Sequence, residues 1–153
     1  MMSLLPDEKH MGEALRQAEE AARCGEVPIG AVLVKDGQVL SADRNRREEL
    51  NDAAAHAEIL VIRQAGSLLG GWRLGGCTLY VTLEPCPMCA GAMVMARLDR
   101  LVYGTVDPKG GAAGTLYDLV RDKRLNHRLE VSSGILEAEC AALLQSFFKK
   151  RRG

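Results

Sequence analysis

Apolar residues at Met11, Leu15, Ala18 and Ala22 recur at steps of four, three and four, which predicts an amphipathic first helix ending near Cys24 and Gly25. The short apolar run 29–34, the turn dipeptide Asp36-Gly37 and a second run over 39–42 predict a β-hairpin. Asn51 and Asp52 offer a cap for a helix over about 54–65 that turns Ile59, Ile62 and neighbouring apolar residues to the sheet and stops at Gly66, after which Gly70-Gly71 breaks the pattern again. Residues 78–82 read as a buried strand, 86–96 as a helix of small residues and 100–103 as the next strand. A strand, a helix and a strand in that order form a βαβ unit, which requires parallel pairing. Residues 107–115, with Gly110, Gly111 and Gly114, form a glycine-rich loop; 128–132 can add an edge strand and 137–152 a last helix. The expected fold class is α/β, a three-layer α/β/α sandwich, built as one domain over 1–153 without repeats or linkers.

The composition fits that reading. The chain has 153 residues, 47% hydrophobic and 26% charged, which places it among single globular domains and away from disordered chains. Lys plus Arg and Asp plus Glu number 20 each, so overall charge does not announce a nucleic-acid partner. Charge is clustered locally instead. Phe147 and Phe148 stand beside Lys149, Lys150, Arg151 and Arg152, and Arg44, Arg46 and Arg47 form a second basic group. The plain reading of both is solvated charge, at a helix end and in a loop. No run approaches a membrane span and no signal segment opens the chain, so a cytoplasmic protein is expected. Five cysteines are an odd number without the spacing of a secreted scaffold, which favours a reduced compartment and metal or catalytic use. Cys24 and Cys140 fall in helical apolar patterns and are expected in the core.

Two pieces carry the candidate chemistry: His56-Ala57-Glu58 and Pro85-Cys86-Pro87-Met88-Cys89, each opening a predicted helix. Cys86 and Cys89 are three apart, so both sulfurs lie on one side of a first turn, where the helix dipole favours thiolates. His56 and Glu58 are two apart, a spacing that separates side chains in mid-helix but not at a helix start. Two helix N-termini at one edge of a parallel sheet would bring the pieces together. One His and two Cys suit Zn²⁺, and three protein ligands leave a fourth position for water, with Glu58 placed to move its protons. Competing readings are a redox CxxC pair, a closed structural zinc site completed by Cys77, and a histidine simply satisfied in the core.

The His-x-Glu and Pro-Cys-x-x-Cys pieces are the signature of zinc-dependent nucleobase deaminases. Val27 to Val32, Ala55 to Ile59, Leu79 to Met93, Gly111 to Gly114, Asn126-His127-Arg128 and Glu139 to Phe148 together resemble the bacterial tRNA adenosine deaminase family over nearly the whole chain. The resemblance implies a cytidine deaminase-like fold around a mixed five-stranded sheet and a homodimer holding about one Zn²⁺ per chain on His56, Cys86 and Cys89. It implies that Glu58 is the catalytic acid and base, and that a tRNA anticodon stem-loop is the partner whose wobble adenosine is flipped into the pocket and becomes inosine. By the same resemblance Asn45 contacts the base and Asp107 the backbone of the target nucleotide, with Asn126, His127 and Phe148 as further contacts. Gly91, Ala92 and Ala96 would let the helix after Cys89 approach a second subunit. Arg44 and Arg47 stand where the family often has Trp and Pro, which changes the local loop. The alternatives are a deaminase of free guanine or cytosine, and a zinc-stabilised RNA-binding module without turnover.

Overall fold

The computed structural model describes residues 5–152, with side chains described as far as Arg151. The side chain of Arg152, one of the four tail cations, lies outside the described residues. Chain order gives α1 (Pro6–Arg23), β1 (Gly30–Lys35), β2 (Gln38–Arg44), α2 (Arg47–Leu50), α3 (Ala57–Leu69), β3 (Cys77–Leu83), α4 (Pro87–Met95), β4 (Arg100–Thr105), β5 (Glu130–Ser133) and α5 (Glu137–Arg152).

The strands form a mixed five-stranded sheet in the order β2-β1-β3-β4-β5. β1 pairs antiparallel with β2 and β3, while β3, β4 and β5 run parallel. The three middle strands are apolar on both faces, because each face is covered by helices. Ala31, Leu33, Leu79, Val81, Leu101 and Tyr103 pack towards α3 and α4, whereas Val32, Val34, Tyr80 and Val102 pack with Met11, Ala14 and Cys140 of α1 and α5. The period of two therefore sorts each strand between two cores. The three-layer expectation and the mixed sheet are both realised.

Local differences from the pattern reading have physical causes. The buried stripe of α1 is Met11, Ala14, Ala18 and Ala21, so Ala22 sits one residue off the core face. Cys24, expected in the core, is exposed, because it caps the end of α1 beyond that stripe. A Cβ on Gly30 would run into the backbone carbonyl of Ala14, which is how α1 lies so close to β1. Asn51 does not open a helix: it is the left-handed C-cap of α2 at φ 50°, a turn of helix absent from the pattern reading. Asp52 then accepts from the Ala54 N–H at 2.9 Å, and this turn delays α3 until Ala57. Gly66 lies inside α3, and Gly70, at φ 74°, ends it. Arg44 is buried rather than solvated, with its guanidinium 2.9 Å from Glu49. Cys140 is in the core as expected.

One ion pair fastens α1 to the sheet. Arg100 grips Asp7 with two hydrogen bonds of 2.9 and 2.7 Å, and the buried Tyr80 hydroxyl donates to the same carboxylate at 2.7 Å. The Arg100 hydrogen bond is the main reason the Asp7 carboxyl is held below its ordinary value of 3.8. A depressed carboxyl contributes stability that is complete above its unfolded pKa and is lost as pH falls through the folded one. Asp7→Asn should therefore cost about 1–2 kcal/mol at neutral pH, and the loss should shrink in acid, at a pH below the ordinary carboxyl value of 3.8, as the wild-type carboxylate protonates. Urea unfolding midpoints of both proteins at the two pH values check this, and an equal loss at both would show that charge is not the source.

Candidate active site and metal centre

β3 ends at Leu83 and the chain turns through Glu84-Pro85 into α4. Cys86 is the N-cap of α4, extended at φ −75° and ψ 173°, with Pro87 in the first helical position. Cys89 follows in the first turn, where the N-cap side chain naturally meets it. His56 is likewise the N-cap of α3, at φ −74° and ψ 150°, and Glu58 lies in the first turn. His56 thus stands outside the helical path, so a spacing of two puts both side chains at one helix mouth. His56 Nδ1 is 3.6 Å from Cys86 Sγ and 3.4 Å from Cys89 Sγ.

The ligand atoms of His56, Cys86 and Cys89 all lie within 4.8 Å of one another, and no other such metal-holding group occurs among the described residues. This donor set fits a divalent, borderline-soft ion. The hydrogen bond from the Cys89 thiol, assisted by His56, holds Cys86 down at about 4, while the same hydrogen bond pushes the Cys89 thiol far up. The two sulfurs share one negative charge, and a cation between them removes the barrier to the second ionisation. Two helix N-termini point their positive ends at the same spot. Cys77, the candidate fourth ligand, is buried at the opposite end of β3, so the group stays open.

Glu58 is 4% exposed. Burial pushes its carboxyl up to about 7, against the opposing pull of its own backbone N–H and of His56. Together with His56 and Cys86 it lines a pocket of about 810 Å³ at the C-terminal edge of β3 and β4. That edge is where open α/β sheets place their ligands.

The other residues singled out from the sequence are distributed unequally. Asp107 and Phe148 line the pocket, Phe148 from α5 with its ring half exposed. Asn45 is buried and held by two pocket-lining residues, its Nδ2 donating to the Val27 carbonyl at 3.2 Å and its Oδ1 accepting from the Arg47 N–H at 3.2 Å. His127 lies 2.6 Å from the Leu98 carbonyl, at the N-terminal end of β4 and so opposite the pocket, with Asn126 exposed beside it. Arg151 of the basic tail spans from the Phe147 ring to the Gly25 carbonyl at 2.5 Å and also reaches the pocket.

Arg47, Lys109 and Glu84 line the pocket without having been singled out as site residues. Glu84 is 2% exposed and accepts from the Asp107, Ala113 and Thr115 N–H groups and the Thr115 hydroxyl. Burial, the largest influence, raises its carboxyl, but these hydrogen bonds together outweigh burial and hold it below the ordinary value. The available signal was an acidic residue directly before Pro85-Cys86 combined with a glycine-rich loop in need of an anchor.

Known proteins resemble the chain closely. A family model described as MafB19-like deaminase matches residues 6–152. A tRNA-specific adenosine deaminase of Bacillus subtilis (strain 168) is 53% identical over 146 residues, covering 95% of this chain and 91% of that protein. A solved structure from work on A-to-I editing by tRNA:A34 deaminases at the wobble position of transfer RNA superposes with a TM-score of 0.86 and 51% identity, covering 89% of this chain and 99% of that one. A guanine deaminase from Bacillus subtilis is more distant, with a TM-score of 0.64 and 38% identity over 71% of this chain and 69% of that one.

Metal binding should displace protons from the sulfur pair. One equivalent of Zn²⁺ added to metal-free protein should release at least about one proton and raise the melting temperature. His56→Ala and Cys86→Ser should abolish both responses at equal metal. Calorimetry in buffers of different ionisation heat measures the release, and a response retained by both variants would move the metal elsewhere.

Proposed function

This chain belongs to the tRNA-specific adenosine deaminases, and on that premise we propose that it hydrolyses the wobble adenosine of a tRNA anticodon to inosine and ammonia in the cytoplasm. The observation that carries the reading is the buried Glu58 carboxylate at the floor of a pocket shared with His56 and Cys86. Zinc held by His56, Cys86 and Cys89 would supply a Lewis acid that brings the ionisation of water into the neutral range.

Glu58 does the proton work. It takes a proton from the attacking water as the oxygen adds to C6 of adenine, and delivers that proton to N1. It then carries the second water proton to the exocyclic amine, the C6–N bond breaks and ammonia departs. A carboxyl at about 7 suits both directions of transfer at neutral pH. The pocket is open enough for a nucleotide extruded from a loop, whose base is inexpensive to unstack.

Arg47, Lys109 and Arg151 bring positive charge to the pocket from three separate segments, which favours a phosphate-bearing substrate over a free base. Asp107 and Phe148 face the nucleotide. Asn45 retains one amide N–H for a base edge beyond its two internal hydrogen bonds. Asn126 and His127, at the far end of the sheet, do not reach the base pocket of their own chain.

Assembly as a homodimer is supported by α4. Met88, Gly91, Ala92 and Met95 recur along its outer side, and Met95 and the neighbouring Trp72 are exposed. A Cβ on Gly91 would meet nothing within 4 Å, so that side has room for a second helix. No helix is long and apolar enough to cross a membrane among the described residues.

Purified protein incubated with an anticodon stem-loop bearing adenosine at the wobble position should form inosine, and free guanine and cytosine should remain unchanged. Glu58→Ala should keep its metal and its RNA affinity while single-turnover deamination falls at least ~10²-fold. Deamination of guanine without reaction of the stem-loop would overturn the reading. Light scattering should report a dimer at micromolar concentration and a monomer for Met95→Lys, whereas a wild-type monomer would remove the assembly from the account.

A further inference from the structure

We infer that Glu84 is a positioning residue: its carboxylate is the strut that fixes the 107–115 loop, and with it Asp107 and Lys109, at a set distance from the metal ligand Cys86. The inference rests on the deaminase reading above. Glu84 Oε1 accepts from the Asp107 N–H at 3.0 Å and from the Thr115 hydroxyl at 2.5 Å. Oε2 accepts from the Ala113 N–H at 3.0 Å and the Thr115 N–H at 3.1 Å. One carboxylate therefore ties both ends of the loop. An ionised carboxylate offers about four lone-pair sites, so Glu84 has no acceptor left for chemistry. Its role is mechanical.

Neighbouring backbone contacts run in the same direction. The Ala112 N–H donates to the Pro85 carbonyl at 2.8 Å, and the Glu84 N–H donates to the Thr105 carbonyl at 2.9 Å. The segment leading into Cys86 and the loop that lines the pocket are thus one stitched unit. Within the loop the Gly111 N–H donates to the Asp107 carbonyl at 2.9 Å. A Cβ on Gly111 would run into the Glu84 carboxylate, so glycine is needed there for the loop to lie on its anchor. Asp107 Oδ1 accepts from the Lys109 and Gly110 N–H groups at 3.0 and 3.2 Å, which leaves Oδ2 for a substrate group.

The strut acts on how substrate is held, and its loss reads out in KM. Glu84→Gln keeps the shape but turns one acceptor edge into a donor that faces N–H groups. With the anticodon stem-loop, KM should rise about 10-fold while kcat at saturating RNA stays within about threefold. Zinc content should not change, and backbone amide exchange at Ala113 and Thr115 should accelerate by about tenfold or more. Thr115→Val, which removes only the hydroxyl donor, should shift KM the same way to a smaller extent, and Thr115→Ser should restore it. This pair keeps the test decisive if Glu84→Gln fails to fold. Unchanged KM and exchange would overturn the inference, as would a fall in kcat with zinc loss at constant KM, which would assign Glu84 to the metal ligands. If the wild-type protein makes no inosine, the functional reading fails separately, and the exchange of Ala113 and Thr115 still decides whether the strut exists.

Discussion

The parallel pairing of β3 with β4 is the constraint on which the pocket depends. Parallel neighbours must end at the same edge of the sheet, so the turn into α4 and the loop after β4 emerge side by side. α3 lies on the same face as α4 and brings a second helix N-terminus to that edge. One topological requirement therefore gathers two thiols, an imidazole, a carboxyl and a glycine-rich loop from separate parts of the chain. The antiparallel hairpin of β1 and β2 widens the sheet and carries the chain back to Asn45 and α2 at the pocket rim.

Buried carboxyl groups near this edge differ in how far hydrogen bonds satisfy them. Glu84 is saturated by four donors and is held ionised despite its burial. Glu26 accepts from the Glu48 and Glu49 N–H groups and so anchors the start of α2. Asp43 receives the Arg46 guanidinium and the Gln64 amide. Glu58 has no comparable set of donors, and desolvation dominates it. Equal depth in the protein thus yields hydrogen-bonded anchors at three positions and, at the fourth, a carboxyl left available for the proton transfers proposed above.

Arg44 and Arg47 illustrate how a local departure is absorbed. Arg44 turns inward to Glu49, while Arg46 bridges Glu49 and Asp43, so the basic cluster becomes a framework around α2. Arg47 remains directed to the pocket. Charge that looks like a solvated patch along the chain is divided between internal support and the wall of the pocket.

The sequence by itself determined the class of fold and the chemical centre. Short continuous apolar runs marked strands, that over 78–82 as buried, and His56, Glu58, Cys86 and Cys89 pointed to a metal-dependent chemistry through residue type and spacing. These features are local, and local spacing constrains them strongly. Tertiary structure decided what spacing cannot carry: that Asn51 closes a turn of helix, that Cys24 faces solvent, and that His127 lies at the opposite end of the sheet from the pocket. Glu84 was out of reach for the same reason. Its meaning comes from donors 23 to 31 residues away, which only the meeting of β3, β4 and the following loop places around one carboxylate.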